Sequence, residues 1–267
     1  MTTAQATGTS SNGHVLLELK GVTKSFGAVR ALTGVDFEVS AGEVVALVGD
    51  NGAGKSTLIK AISGIQPGDD YEARFEGEHV TLSTPQDGTR LGIATVYQDL
   101  ALADNLDVVQ NLFLGNEETS TGLLDEVSME KQSIDLLAQL RVRTLKSVRT
   151  EVGMLSGGQR QSVAIARSLL GNPKVVMLDE PTAALGVAQT REVLDMIARL
   201  RERGLGVVLI SHNLADVFEV ADRIIVLRLG ERVATFNRRD TSRETVVAAI
   251  TGADIETNRA AGVGENR

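Results

Sequence analysis

The sequence predicts an α/β fold in which a parallel sheet is covered by helices on both faces, with an antiparallel sheet ahead of it and a helical insertion within it. Two observations carry the parallel sheet. Short apolar runs bounded by turn residues recur at 44–48, 93–97, 174–178, 207–210 and 223–227, and strands of that composition are buried on both faces. The stretches between many of them read as helix, so strand and helix alternate as in crossover units. A third observation places the antiparallel sheet. Residues 15–20 and 35–40 (Val-Asp-Phe-Glu-Val-Ser in the second) largely alternate apolar with polar side chains, the pattern of half-buried strands.

The remaining elements follow in order. Val-Val-Ala-Leu-Val at 44–48 opens into a glycine-rich turn and then a helix over 56–63. Between 99 and 153 the strand signal disappears, and Ile134, Leu136, Leu137 and Leu140 fall at helical spacing within 129–140. A helical subdomain inserted at about 99–165 is expected there. Past Arg228, Leu229-Gly230-Glu231 turns into a short strand, and Thr241-Ser242-Arg243-Glu244 reads as a capping box opening a last helix to Ile250. Residues 1–14 lack the basic start and apolar stretch of a signal peptide and read as a flexible tail. Residues 253–267, rich in Gly, Asn and charge, read as a loose tail, which leaves 15–252 as the domain.

Composition limits the function. The 27 Lys plus Arg against 35 Asp plus Glu give a net charge of -8, so no global basic field draws the chain to nucleic acid or anionic lipid. No nucleic-acid partner is expected. With no cysteine and three scattered histidines, neither a disulfide framework nor a thiolate metal site is available. The apolar runs fall far short of the ~20 residues that span a bilayer, so any membrane role must come through a partner.

Gly49-Asp50-Asn51-Gly52-Ala53-Gly54-Lys55-Ser56-Thr57 satisfies the phosphate-loop pattern and lies between a buried strand and a helix, where that chemistry requires it. Its glycines let backbone N–H groups turn onto phosphates of ATP, Lys55 reaches the terminal phosphates, and the Ser56 hydroxyl can ligate Mg²⁺. Val175-Val176-Met177-Leu178-Asp179-Glu180 is a buried strand ending in adjacent carboxylates. In that Walker-B arrangement Asp179 orients the metal, and Glu180 is placed to polarise an attacking water. Leu155-Ser156-Gly157-Gly158-Gln159 precedes a helical stretch at 160–170, so its N–H groups and hydroxyl stand at a helix N-terminus where anions bind. An ordinary serine cap would explain Ser156 alone.

The pentapeptide resembles the signature motif of ABC ATPases, and the order phosphate loop, signature, Walker B is theirs. The resemblance covers roughly residues 15–252 and implies a P-loop NTPase of the ABC ATPase type, with an antiparallel β subdomain and an inserted α-helical subdomain carrying the signature. It implies that Phe26 is the aromatic that stacks on adenine, that Gln98 ligates Mg²⁺ and senses the γ-phosphate, and that His212 is the switch histidine contacting that phosphate. It further implies an ATP-dependent homodimer, in which the signature of one protomer covers ATP held by the other, seated on permease subunits at the cytoplasmic face of the membrane. One departure stands out: Ala183-Ala184-Leu185-Gly186 occupies a segment that in the family commonly ends in aspartate. The stretches 181–187 and 97–115 look like ATPases of bacterial monosaccharide importers of the ribose, xylose and fructose type. That narrower likeness implies import of a monosaccharide delivered by a periplasmic or lipid-anchored sugar-binding protein. The competing readings are an exporter ATPase, with the same core motifs, and a non-transport ABC ATPase acting on DNA or ribosomes.

Overall fold

The computed structural model describes residues 13–142 and 144–253. In chain order it contains β1 (Val15–Phe26), β2 (Val29–Ser40), β3 (Val44–Val48), α1 (Lys55–Ile62), β4 (Asp70–Phe75), β5 (Glu78–Val80), α2 (Pro85–Leu91) and β6 (Ile93–Val96). Then come α3 (Val108–Phe113), β7 (Thr119–Ser120), β8 (Leu123–Leu124), α4 (Glu126–Gln139) and α5 (Gly157–Leu169). The chain continues through β9 (Val175–Asp179), α6 (Val187–Glu202), β10 (Gly206–Ile210), α7 (Leu214–Val220), β11 (Arg223–Arg228), β12 (Glu231–Asn237) and α8 (Arg243–Thr251).

The main sheet has the order β12-β11-β3-β10-β9-β6. Its strands β11, β3, β10, β9 and β6 run parallel, and β12 is an antiparallel edge. The second sheet, β2-β1-β4-β5, is antiparallel throughout. The continuous apolar strands follow from this arrangement, because alternate side chains enter different cores. Val44, Ala46, Val176, Leu178, Val207 and Leu209 pack with residues of α3, α5 and α6. Their neighbours Val45, Leu47, Val175, Met177 and Val208 pack with α1 and the antiparallel sheet. Each fully buried Leu or Val there contributes about 1.5–3 kcal/mol relative to an exposed one, so a polar residue on either face would be costly.

Parallel strands align their C-terminal ends, and this brings the loops after β3, β9 and β10 to one rim of the sheet. At the other rim Arg223, at the start of β11, bonds Glu43 at 2.8 Å and Glu38 of β2 at 3.1 Å. Burial opposes the charge of that guanidinium, but the two carboxylates outweigh it and raise its pKa. The ion pairs fasten the two sheets at the end away from the loops.

Several expectations need correction. The first two strands are longer than their alternation suggested, and β4, β5 and α2 went unread because their sequences carry short or irregular patterns. The segment expected to be helical contains the β7–β8 hairpin between α3 and α4. Ile134 is half exposed, so the buried stripe of α4 runs through Met129, Ser133, Leu136 and Leu137. The last helix is capped by Ser242, whose hydroxyl accepts from the Thr245 N–H, and not by Thr241. The expected tails at 1–14 and 253–267 fall almost wholly outside the described residues.

Candidate nucleotide site

The loop after β3 turns tightly, with the Ala53 N–H donating to the Asp50 carbonyl at 3.1 Å. Gly49 lies so close to the Leu227 carbonyl that a β-carbon would collide with it. Gly54 takes the cap position of α1 with φ 103 and supplies no side-chain cap. The first-turn N–H groups of α1 are therefore left for a ligand, and anions are favoured at such an end. Lys55 opens the helix and folds back, its Nζ donating to the carbonyls of Gly49 at 2.8 Å and Asp50 at 2.9 Å. Burial holds this ammonium below its usual pKa, while Glu180, Asp50 and Asp179 push the other way. Asn51, Gly52 and Ser56 are exposed, Thr57 is half-buried and Ala53 is buried.

Asp179 ends β9 beside this loop. Burial, and then the neighbouring Glu180, raise its pKa, and Lys55 and Lys60 oppose the shift. The two groups therefore stand in a desolvated cluster of opposite charges, short of a counter-charge on the acidic side. Glu180 has a left-handed backbone, φ 51, a conformation that costs a residue with a side chain roughly 1–2 kcal/mol. Its N–H is held by the Ile210 carbonyl at 3.0 Å. Its Oε2 lies 2.7 Å from His212 Nδ1, and the Glu180 side chain is 15% exposed while that of His212 is 71% exposed. The strained turn thus brings a sheltered carboxylate onto an open imidazole, joining the ends of β9 and β10. Strain of this kind concentrates at functional sites.

Two buttresses had no sequence signal. Thr182 Oγ1 donates to Asp216 Oδ2 at 2.6 Å, both residues being buried, and ties the turn after Glu180 to the first turn of α7 after His212. Tyr97 OH bonds Ser63 Oγ at 3.0 Å and anchors the loop bearing Gln98 to the end of α1. Gln98 itself is exposed just beyond β6. Phe26, at the end of β1, is 45% exposed and so is not a core ring. Lys24 Nζ lies 5.7 Å from its centroid.

The signature residues stand in different surroundings. Ser156 caps α5, its Oγ accepting from the Gln159 N–H at 3.3 Å while Gln159 Oε1 accepts from the Ser156 N–H at 2.9 Å. The amide of Gln159 also donates to the Thr144 carbonyl at 2.6 Å. Ser156 and Gly157 are exposed, whereas Leu155 and Gly158 are buried. Around Gly157 and Gly158 the nearest side chains are Leu185 and Gln189, whereas Gly49 and Gly54 are approached by Leu227, Ala31, Leu32 and Gly230. Gly186, the departure noted above, holds the cap position of α6 and offers it no side chain.

A glycine-lined phosphate loop at a helix N-terminus, facing an acidic strand end, defines a nucleotide-binding ATPase. Residues 32–183 match the ABC transporter family. The chain is 46% identical over 245 residues to the fructose import ATP-binding protein FrcA of Rhizobium meliloti, covering 89% of this chain and 94% of that one. It is 47% identical over 236 residues to the xylose/arabinose import ATP-binding protein XylG of Sulfolobus acidocaldarius, covering 88% and 94%. Its fold matches the dimeric, post-hydrolysis structure of the ATP-binding cassette MJ0796 bound to ADP and Pi, with a TM-score of 0.69 and 27% identity over 85% of this chain and 100% of that one. The chain belongs to the ABC transporter family and is its ATP-hydrolysing subunit. Among the described residues no helix is long and apolar enough to cross a membrane.

Proposed function

We propose that this chain hydrolyses ATP to drive import of a monosaccharide through membrane subunits, as one half of a homodimer that ATP closes. The observation that supports it best is the convergence of Lys55, Asp179, Glu180 and His212 at the C-terminal rim of the parallel sheet, beside an uncapped helix N-terminus. The names of the similar fructose and xylose/arabinose proteins support a sugar as cargo.

The residues give each step a physical basis. Backbone N–H groups of 49–57 and Lys55 bind the phosphates, and Phe26 stacks on the adenine. Glu180, whose side chain is 15% exposed, accepts the proton of the attacking water, and its 2.7 Å contact with His212 Nδ1 orients the imidazole toward the γ-phosphate. Asp179, whose burial is not compensated by the two lysines, would hold Mg²⁺ together with the Ser56 hydroxyl and the Gln98 side-chain oxygen, all hard-oxygen donors of the kind that ion takes. When bound, that ion would neutralise phosphate charge in the transition state. The Ser156 hydroxyl and the N–H groups of Gly157 and Gly158 serve the ATP held by the partner protomer.

Coupling requires a membrane partner. A groove of about 620 Å³ lies beside the Gln98 loop, lined by Leu100, Ala101, Phe113, Leu114 and Arg167 among others. Arg167 donates to the Leu100 and Ala101 carbonyls at 2.7 and 2.8 Å, fastening this loop to the signature helix α5. A short permease helix seated in the groove would feel both the Gln98 loop and the signature helix, at the cytoplasmic face. Leu112 and Phe113 also line the groove but are buried, so the half-exposed Leu114 is the better probe. In proteoliposomes holding the permease, monosaccharide with its binding protein should stimulate hydrolysis and accumulate inside the topological cytoplasm. Leu114→Glu should abolish that stimulation and leave basal hydrolysis. Outward movement of substrate, or stimulation by no sugar, would overturn import.

A further inference from the structure

We propose that the tip of the β11–β12 hairpin, Leu229-Gly230, is a positioning element that holds the phosphate loop at a set distance from the strand carrying Phe26. The inference rests on the nucleotide reading above. Its argument begins from two hairpins of the same backbone. In β4–β5, the pair Phe75↔Glu78 is closed by Glu76 at φ 51 and Gly77 at φ 87. In β11–β12, the pair Arg228↔Glu231 is closed by Leu229 at φ 50 and Gly230 at φ 80. Both are two-residue loops with two left-handed residues, the form that matches strand twist.

Tips of this kind normally meet solvent, and the first one does. Gly77 is exposed, and a β-carbon built on it has nothing within 4 Å. Gly230 is buried instead. Its N–H donates to the carbonyl of Ala53 in the phosphate loop at 3.1 Å, and its carbonyl accepts from the Thr33 N–H of β2 at 2.8 Å. A β-carbon on Gly230 would lie 2.7 Å from the Ala31 carbonyl oxygen. The rest of the loop touches the same hairpin. Gly49 packs directly on the Leu227 carbonyl, and a β-carbon on Gly54 would lie 3.6 Å from Gly230 Cα and 2.8 Å from Ala31 O.

The hairpin tip is thus wedged between both ends of the phosphate loop and the beginning of β2. Side-chain burial does not account for it, since Leu229 is 80% exposed and bulky residues avoid positive φ. The mechanical path is short. Ala31 and Thr33 lie on β2, whose first residue Val29 pairs with Phe26. Moving the tip therefore moves the phosphate loop relative to the exposed ring, and a nucleotide gripped at base and phosphates reads that distance.

Gly230→Ala and Gly77→Ala place the same residue at comparable left-handed positions, so both should lower the melting temperature. ADP titration of the subunit separates them. Gly230→Ala should weaken ADP binding by about tenfold or more, while Gly77→Ala, remote from the site, should stay within about twofold of the parent. Parental affinity in Gly230→Ala, or equal weakening in both variants, overturns the inference. A parent that fails to bind ADP strikes the nucleotide reading itself, and is told apart because it needs no variant. Should Gly230→Ala not fold, one glycine inserted between Leu229 and Gly230 keeps a hairpin but breaks its bonds to Ala53 and Thr33. That insertion should lose affinity where the same insertion between Glu76 and Gly77 does not, and parental ADP affinity in it equally refutes the proposal.

Discussion

The phosphate loop and the signature are both glycine-rich segments at the start of a helix, yet the protein treats them in opposite ways. At the phosphate loop, Gly54 leaves α1 without a side-chain cap, and buried charges from β9 crowd around Lys55. At the signature, Ser156 and Gln159 cap α5 reciprocally and the cap stands in solvent. One helix end is kept hungry for an anion within its own chain. At the other the Gln159 N–H is satisfied by Ser156 within the monomer, and the Ser156 hydroxyl hydrogen and the N–H groups of Gly157 and Gly158 remain to be used by something outside it. On the function proposed above, that difference assigns nucleotide binding to one chain and closure to two.

The largest effects should fall on the self-contained half. Lys55→Ala removes the sole side-chain cation assigned to the phosphates and leaves Asp179 and Glu180 facing each other without it. Nucleotide affinity, followed by equilibrium titration, should fall by at least about a hundredfold. Glu180→Gln should bind ATP like the parent yet lose ~10²- to 10⁴-fold in turnover, seen as phosphate release. Parental turnover in that variant would remove Glu180 from the role of base and make its strained backbone a structural accident.

How much of this could be read from the chain differs between the halves for a physical reason. The phosphate loop, Walker B and signature are contiguous in sequence, because a turn and the helix after it supply most of each, so local residue types announce them. The five parallel strands were equally legible, since burial on both faces leaves a continuous apolar run. The Thr182–Asp216 bond, the Tyr97–Ser63 bond and the wedge of Gly230 under Ala53 were not. Each joins residues far apart in sequence through a single polar group or a bare backbone, and such groups have no periodicity to reveal them. The β7–β8 hairpin escaped for a related reason, its strands being two residues each.

An intermediate effect tests the second half of the comparison. In Glu180→Gln, where ATP persists, Mg-ATP and not ADP should bring the protomers together in sedimentation, against the repulsion of a net charge of -8 on each chain. Ser156→Asp keeps an excellent helix cap, so α5 should not lose stability, but it sets a carboxylate against the partner's γ-phosphate. The double variant should remain monomeric with ATP bound at parental affinity. A dimer that persists would show that Ser156 is only the cap that the monomer displays.

The smallest effect concerns Phe26, which stands apart from both helix ends on the tip of β1. Its ring is half exposed, and Lys24, which is also bound to Asp69 at 2.8 Å, lies near its face. Removal of the ring therefore opens no cavity, and Phe26→Ala should leave the melting transition close to that of the parent. Stacking of one base is worth ~1–3 kcal/mol, so affinity for ATP and ADP should fall together while the rate at saturating ATP is unchanged. Inorganic triphosphate, which has no base to stack, sharpens the point: its binding should be the same with and without the ring. Equal weakening of triphosphate would mean that the ring supports the loop and not the base. Unchanged ATP affinity would leave the exposed aromatic without a ligand and place the adenine elsewhere on the rim.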